Sequence, residues 1–165
     1  MFTIGDTVHY GMDGVCQITG IVERKIGGEY RRFYELHPYF RKSTVVFLPV
    51  DNDQLLSRVR PVMNEEQIMR SIYGMKDFES IWLDSDTDRK EAFQAIIRQG
   101  DNQQLLSLVK TLYERKQEMQ KGGRKLRSAD SAFLKDAERL VNEEYAYVLG
   151  MEPGEIPAFI QKKMA

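Results

Sequence analysis

The chain of 165 residues is long enough for one ordinary domain or two small ones. Its 42% hydrophobic, 10% aromatic and 30% charged residues are typical of a folded protein, because a disordered chain combines low hydrophobicity with high net charge. The 24 Lys and Arg residues nearly balance the 25 Asp and Glu residues, and the formal net charge of −1 excludes a protein that coats DNA through bulk charge, as histones do.

Signals for membranes and secretion are weak in this sequence. The longest apolar stretch, residues 45–50, is far shorter than the ~20 residues that a membrane-spanning helix needs. The first residues lack the basic and then apolar start of a secretory signal. Cys16 is the single cysteine, which rules out an internal disulfide and suits a reducing compartment. We therefore expect a cytoplasmic protein that has no contact with a membrane.

The sequence offers few groups for catalysis or metal binding. His9 and His37 are far apart and have no second cysteine or E-x-x-H neighbour, so their spacing does not predict a metal site. The nucleophile elbow, the P-loop and the dinucleotide-binding glycine motif do not occur, and no carboxylate interrupts an apolar run where burial would raise its pKa. We expect a binding protein that is not an enzyme and needs no cofactor or metal, with His9, His37 and Cys16 as packing or hairpin residues.

Short runs with a period of two residues fill the first 60 positions and predict β-strands. The first predicted strand spans residues 2–10 around the Gly5-Asp6 turn, and four more follow over residues 15–23, 30–36, 44–48 and 56–60. Gly27-Gly28 joins the two longest runs, which indicates a tight hairpin turn. Five strands spaced by turns predict a small antiparallel barrel of the Tudor or SH3 kind.

After Pro61 the apolar residues recur at intervals of three and four, which predicts helices. Asn64 and Gln67 have the spacing of a capping box, and Gly74 is the predicted end of that first helix. Further helices are predicted over residues 86–99, 102–120, 128–149 and 153–164. The expected fold class is α+β with two domains. A five-stranded Tudor- or SH3-like antiparallel β-barrel spans residues 1–61, and a compact all-α domain of about five helices spans residues 62–165.

The first 62 residues carry a recognisable pattern. The motif F-x-x-G-D-x-V-x-Y-x-x-x-G at residues 2–14, followed by Ile18 and Ile21, resembles the CarD/CdnL family of bacterial transcription regulators. The match continues through the hairpin at residues 26–29, Tyr34, Leu48-Pro49 and Arg60-Pro61-Val62. It is looser in the helical part, which contains a single tryptophan. The N-terminal part is also similar to the polymerase-binding domain of transcription-repair coupling factors, but those are long helicases and this chain has no motor.

The resemblance implies a function. Members of this family dock the barrel on a lobe of the RNA polymerase β subunit, while the helical domain contacts promoter DNA near the upstream edge of the transcription bubble. The resemblance therefore implies a cytoplasmic, nucleoid-associated regulator that modulates the stability of the open complex without reading a specific sequence. The alternative is a protein–protein adaptor that binds polymerase or another partner through its sheet edge and never touches DNA.

The candidate polymerase-binding residues are Arg24, Thr44, Val45, Val46 and Phe47. In the predicted strand over residues 44–48, alternation makes both faces apolar, although only one face of a barrel strand points into the core. A partner's strand can add to such an exposed edge, which would also allow a domain-swapped homodimer. The alternatives are a strand buried on both faces and a solvated Arg24. The resemblance places Phe47 where some relatives have an arginine, so the expected contact is more apolar than ionic.

The resemblance implies that Trp82 wedges against the minor groove at the bubble edge, where a flat ring can stack on an exposed base. A packed anchor between helices is the alternative. Asp84, Asp86 and Asp88 depart from the family's pattern, because relatives follow this tryptophan with basic residues. These carboxylates would either repel phosphates or favour the start of the next helix.

A basic segment completes the candidate DNA surface. Residues 110–127 carry seven Lys and Arg residues against two Glu residues, and the helix predicted to begin at Ser128 follows at once. Backbone N–H groups at a helix start can hold phosphate together with nearby cations, whereas a merely solvated loop is the alternative. The candidate DNA-binding residues are Trp82, Arg89, Lys90, Lys121, Arg124, Lys125 and Arg127.

Overall fold

The computed structural model describes residues 2–165, so Met1, at which the first predicted domain begins, lies outside the described residues. The strands are β1 (Thr7–Tyr10), β2 (Gly14–Ile26), β3 (Glu29–Pro38), β4 (Val46–Pro49) and β5 (Val59–Pro61). The helices are α1 (Asp53–Leu56), α2 (Glu65–Gly74), α3 (Asp86–Gln99), α4 (Asn102–Lys121), α5 (Ser128–Leu149) and α6 (Ile156–Met164). No helix in this part of the chain has both the length and the hydrophobicity needed to cross a membrane.

The strands form one antiparallel sheet in the order β4-β3-β2-β1-β5, which confirms the predicted five-stranded antiparallel architecture. The long strands β2 and β3 are joined at Gly27-Gly28, whose φ angles of 59° and 84° lie in the left-handed region. Two such residues in a row are what a type I′ turn requires, and glycine adopts this conformation without steric cost. In this strand order, β4 and β5 are the two outermost strands of the sheet.

The strand limits differ from the prediction in two places. Residues 2–6 form a turn instead of a strand, in which the Gly5 N–H donates to the carbonyl of Ile18. The predicted fifth strand begins only at Val59, because Asn52 caps the short helix α1 by accepting a hydrogen bond from the N–H of Leu55. Local side-chain capping thus overrides the strand pattern of this segment.

The sheet and the helices each enclose an apolar cluster. Under the sheet, the buried side chains include Val8, Cys16, Ile18, Leu36 and Leu48. Among the helices, the fully buried side chains include Ile68, Phe93, Leu108, Leu140 and Tyr145. Burial of these apolar side chains against one another stabilises the helical part.

Helix ends follow the predicted signals with one exception. The Asn64–Gln67 capping box is present with both hydrogen bonds, of 2.9 and 2.8 Å, and α3 and α5 end at the left-handed residues Gly100 and Gly150. The exception concerns conformation alone: α2 ends at Gly74, as predicted, but the φ angle of Gly74 is −70°, which is helical, and a 3-10 turn over Met75–Asp77 follows. The glycine signals therefore predicted where these helices end, although Gly74 lacks the left-handed cap.

A buried ion pair joins the sheet to the helices. Arg60 on β5 donates two hydrogen bonds of 2.7 Å to the carboxylate of Glu144 on α5, and its Nε donates to the carbonyl of Gly100. The N–H of Met63, just after β5, donates to the same carboxylate. Burial alone would raise the pKa of Glu144, but the hydrogen bonds and charge of Arg60 hold that pKa below its ordinary value.

A second group of contacts strengthens this interface at the turn between β1 and β2. Arg41 donates to the carbonyl of Asp13 and pairs with Glu143 of α5, while Arg139 of α5 donates to the carbonyl of Met12. Arg139 also pairs with Glu143, at 3.2 Å. These bonds connect the turn before β2 and the segment after β3 to one turn of α5, between Arg139 and Glu143.

Two tyrosines near the end of α5 have different roles. Tyr145 is fully buried in the helical cluster, and its hydroxyl lies 3.2 Å from the side-chain oxygen of Asn102. Tyr147 contacts the sheet side. Its hydroxyl lies 3.0 Å from that of Thr7, and its ring packs edge-to-face against Tyr39.

His9 lies buried at the same interface, and within residues 2–165 neither ring nitrogen has a hydrogen-bond partner. Burial lowers the pKa of His9 to about 4, and the positive charge of Arg60 acts in the same direction. The unfolded chain would take up this proton near pH 6.5. The unfolded state therefore binds more protons than the folded state between these values, and the free energy of unfolding falls as the pH is lowered through this range.

We predict that the protein loses about 2 kcal/mol of unfolding free energy between about pH 7.5 and about pH 5, and that His9→Leu abolishes most of this loss. The measurement is urea unfolding followed by circular dichroism at the two pH values. His37→Leu is the matched control, because His37 is partly exposed, and this variant should keep the wild-type loss. A His9→Leu variant with an unchanged pH dependence would contradict this assignment.

Candidate functional site

The end of the sheet at β4 carries exposed apolar side chains. Val45 and Phe47 are 41% and 37% exposed, whereas Leu48 is buried and Val46 packs partly against the core. The strand therefore has one buried face and one outward face, and the alternative of burial on both faces does not apply. In the described sheet, β4 has β3 as its one neighbour, so its outer side is a sheet edge.

Arg24 and Phe47 lie together although they are distant in sequence. The guanidinium carbon of Arg24, on β2, lies 4.5 Å from the ring centroid of Phe47, and Phe33 packs edge-to-face against the same ring. Thr44 is half-buried in the turn before β4, where its N–H donates to the carbonyl of Arg41. We call the five residues Arg24, Thr44, Val45, Val46 and Phe47 the edge surface.

The chemistry of the edge surface combines an apolar patch with one cation. Arg24 stands opposite Arg31 in the β2–β3 register, and like charges placed directly across a strand pair are unfavourable. Arg31 has an exposed carboxylate nearby, Asp51 at 3.8 Å, whereas the side chain of Arg24 lies over the Phe47 ring. A partner that brings an extended strand and a carboxylate to this edge would satisfy both the open edge and the arginine.

Trp82 lies in the segment between α2 and α3, half-buried against α4. The N–H of the preceding residue, Ile81, donates to the hydroxyl of Thr111, which fixes the segment to that helix. The indole N–H donates to Asp84, and the guanidinium carbons of Arg89 and Arg115 lie 4.2 and 4.5 Å from the ring centroid. The ring is thus held by packing and also reaches the surface.

Arg89 is not available to DNA, which corrects its place among the candidate DNA-binding residues. It is only 4% exposed, and its Nε and Nη2 each donate a bond of 2.9 Å to the carboxylate of Asp130. The remaining donors reach the carbonyl of Leu83 and the carboxylate of Asp86. Since the hydrogen bonds that Arg89 donates to Asp130 outweigh desolvation, the pKa of Arg89 is raised and the buried guanidinium stays charged.

The three aspartates after Trp82 have separate structural roles. Asp84 accepts the indole hydrogen bond, and Asp86 lies in the first turn of α3, where it pairs with Arg89 and Arg127. The hydrogen bond from Arg89 lowers the pKa of Asp86. Asp88 also lies in that first turn, and its N–H donates to the capping side chain of Ser85. Asp86 and Asp88 therefore favour the start of α3, as one of the two alternatives predicts, whereas Asp84 lies before the helix.

The basic loop, residues 121–127, begins at Lys121, the last residue of α4, and continues through Gly122-Gly123. The four candidate side chains Lys121, Arg124, Lys125 and Arg127 are all exposed, and so is Lys90 on α3. Arg127 is the cap residue of α5 and makes no side-chain capping bond. By contrast, Lys110 of the same basic segment donates to the carbonyl of Met75 and lies over the Phe78 ring, so its role is structural.

The structure thus divides the candidate residues between two surfaces. The edge surface lies on the sheet, and Trp82 is connected to the basic loop through Arg89, Asp86 and Arg127. Asp130 is not among the predicted site residues, and Arg115 is counted there only as part of the basic segment, not as a contact of Trp82. The spacing of Asp86 and Arg89 on one helix turn was a usable signal, but nothing local indicated the long-range partner Asp130.

The described residues contain no cluster of three or more His, Cys, Asp or Glu side chains arranged to hold a metal ion. In comparisons with known proteins, the family model described as the CarD-like/TRCF RID domain matches residues 2–63. This range contains all five strands and the edge surface. No curated protein matches the chain.

We predict that Arg89→Ala lowers the free energy of unfolding by about 3–5 kcal/mol, because Asp130 would remain buried without its counter-charge. Lys90→Ala, at the adjacent exposed position, should change it by less than about 0.5 kcal/mol. Urea unfolding followed by circular dichroism measures both values. Equal stability of the two variants would show that Arg89 is solvated and would restore it as a candidate DNA ligand.

Proposed function

We propose that this protein is a regulator of transcription initiation, because residues 2–63 match the family model of the CarD-like/TRCF RID domain, which suggests an interaction with RNA polymerase. Residues 1–61 would bind the β subunit of RNA polymerase, and residues 62–165 would contact promoter DNA near the upstream edge of the bubble. The observation that carries the proposal is the family match over the segment that holds the edge surface. This family is not an enzyme class, and a polymerase-bound regulator would be cytoplasmic and nucleoid-associated.

The edge surface suits a protein partner better than it suits DNA. An unpaired strand edge offers N–H and C=O groups that an extended partner strand can bind, and exposed Val45 and Phe47 supply apolar area beside them. Arg24 adds one charge, which favours a partner with a carboxylate at the matching position. A docking contact of this kind supports recruitment to polymerase and requires no chemistry.

The helical part supports a weak, sequence-independent contact with DNA. The exposed cations of the basic loop can bind phosphates, and phosphate contacts position a protein without reading bases. Trp82 offers an aromatic ring that can stack on a base only where the duplex is already unstacked. With a net charge of −1, the whole protein would bind free DNA weakly and with a steep dependence on salt.

The proposed mechanism is a change in the free energy of the open complex. Docking through the sheet raises the effective concentration of the helical surface at the promoter, so weak DNA contacts become sufficient. Contacts made only after melting stabilise the open complex relative to the closed one, and about 1.4 kcal/mol changes the ratio tenfold. The ion pair between Arg60 and Glu144 would hold the two surfaces at a fixed separation.

We predict that Phe47→Glu and Val45→Arg each abolish polymerase binding while the sheet stays folded, because both place charge on the outward, apolar face of the docking edge. Co-purification of RNA polymerase core with the full-length variants measures binding, and circular dichroism checks the fold. Tyr73→Glu, an equally drastic change at an exposed aromatic residue of α2, is the control and should bind normally. Normal binding by folded Phe47→Glu and Val45→Arg would reject this edge as the docking site.

The two DNA elements should differ in when they act. Trp82→Ala should shorten the open-complex half-life about fivefold or more and leave polymerase recruitment unchanged, because stacking requires an unstacked base. Arg124→Ala with Lys125→Ala should weaken closed and open complexes to a similar degree and reduce the salt slope by about one to two. Half-lives on one promoter at two salt concentrations measure both effects.

Two results would change this assignment. A folded Trp82→Ala variant whose open complex decays at the wild-type rate would show that Trp82 is a packing residue alone. If neither set of variants alters the half-life and the protein gives no footprint upstream of the melted region, the protein is an adaptor that binds polymerase without touching DNA.

A further inference from the structure

Asp86 contacts two arginines, one buried beside Trp82 and one exposed in the basic loop. Its Oδ1 accepts a hydrogen bond of 2.7 Å from the buried Arg89, and its Oδ2 accepts one from the exposed Arg127 in the basic loop. Arg89 lies against the Trp82 ring. One carboxylate therefore connects the tryptophan segment at the start of α3 with the basic loop before α5.

The two bonds of Asp86 differ in how readily they can break. Arg89 is 4% exposed and is also held by Asp130, so its bond to Asp86 is fixed by a buried network. The side chains of Arg127 and Asp86 are 73% and 52% exposed, so their bond faces water. When Arg127 leaves, Asp86 keeps its bond to Arg89 and gains water, and no buried charge is left unpaired. The outer bond is therefore exchangeable.

Asp86 occupies a guanidinium donor of Arg127 that could otherwise bind a phosphate. A carboxylate and a phosphate compete for the same guanidinium donors, which bind both groups through charged hydrogen bonds. Arg127 is also the cap residue of α5, where the backbone N–H groups of the first turn favour an anion. In the free protein, the charge of Asp86 thus neutralises the cation closest to that helix start.

We propose that Asp86 is an internal competitor of DNA, which occupies Arg127 in the free protein and must give way to a phosphate when the helical surface contacts the promoter. This inference rests on the proposed function of that surface. Its consequence is a low affinity for DNA in general, because each encounter must break the pair between Asp86 and Arg127. At a promoter, docking of the sheet on polymerase would supply the effective concentration that drives the exchange.

Asp86→Asn tests this inference with little change to the structure, because the amide oxygen can still accept the hydrogen bond from Arg89. Asp88→Asn is the matched control. It removes the same charge from the same first turn of α3, and the Asp88 carboxylate forms no ion pair within residues 2–165. Both variants lose one acidic side chain near the helix start, so effects of the helix dipole and of net charge are alike.

The measurement is fluorescence anisotropy of a labelled duplex that contains a mismatched bubble, over a range of salt concentrations. We expect Asp86→Asn to bind about two- to fivefold more tightly than Asp88→Asn, which is the range for loss of one exposed ion pair. The steepness of its salt dependence should rise by about one, because Arg127 becomes free to displace a counterion. In an Arg127→Gln background, the difference between the two aspartate variants should disappear.

Equal affinities and equal salt slopes for folded Asp86→Asn and Asp88→Asn would overturn the inference and leave the proposed function standing. The same holds if the advantage of Asp86→Asn persists without Arg127. If Asp86→Asn does not fold, the DNA affinities of Arg127→Gln and Arg124→Gln, each compared with wild type, test the inference instead. An arginine that Asp86 already neutralises contributes little to binding, so Arg127→Gln should weaken binding less than Arg124→Gln does. An equal loss for these two arginine variants would overturn the inference. Binding by none of the proteins at low salt would overturn the proposed DNA contact itself.

Discussion

The arrangement of the sheet against the helices depends on one charge pair, in which the carboxylate is buried and the guanidinium is 23% exposed. Arg60 on β5 donates to the carboxylate of Glu144 near the end of α5, and its Nε donates to the carbonyl of Gly100, just after α3. Taking two charges out of water is costly, so such a pair adds little net stability, but removing one partner costs about 3–5 kcal/mol. The main effect of the pair is on the position of the sheet relative to the helices. A different position would separate Arg60 from Glu144 and leave the buried carboxylate without its counter-charge.

This constraint bears on function because the two candidate surfaces lie on opposite sides of it in the chain. The edge surface belongs to the sheet, and Trp82 with the basic loop belongs to the helices. A flexible linker would let the helices sample many positions once the sheet had docked. Here the chain after β5 is bound through the Met63 N–H to the same carboxylate, so little freedom remains where a hinge would otherwise form.

Features encoded locally could be predicted from the sequence, and features that depend on distant partners could not. The Gly27-Gly28 turn and the capping box at Asn64 follow from backbone geometry within a few residues, and both are present. Arginine is usually a surface residue, but Arg89 is buried because it forms an ion pair with Asp130, which lies 41 positions away in the sequence. The exposed basic loop needed no such partner, so its exposure could be predicted from its charge and its glycines alone.

The single tryptophan has a spectroscopic consequence. Its indole contacts two guanidinium groups and one carboxylate, and the backbone beside it is fixed to α4 by Thr111. Indole emission depends on neighbouring charges and on access of water, so any rearrangement of Arg89, Arg115 or Asp84 alters the colour and intensity of the emitted light. Because no second tryptophan contributes a background, the unlabelled protein reports optically on the state of its own helical surface.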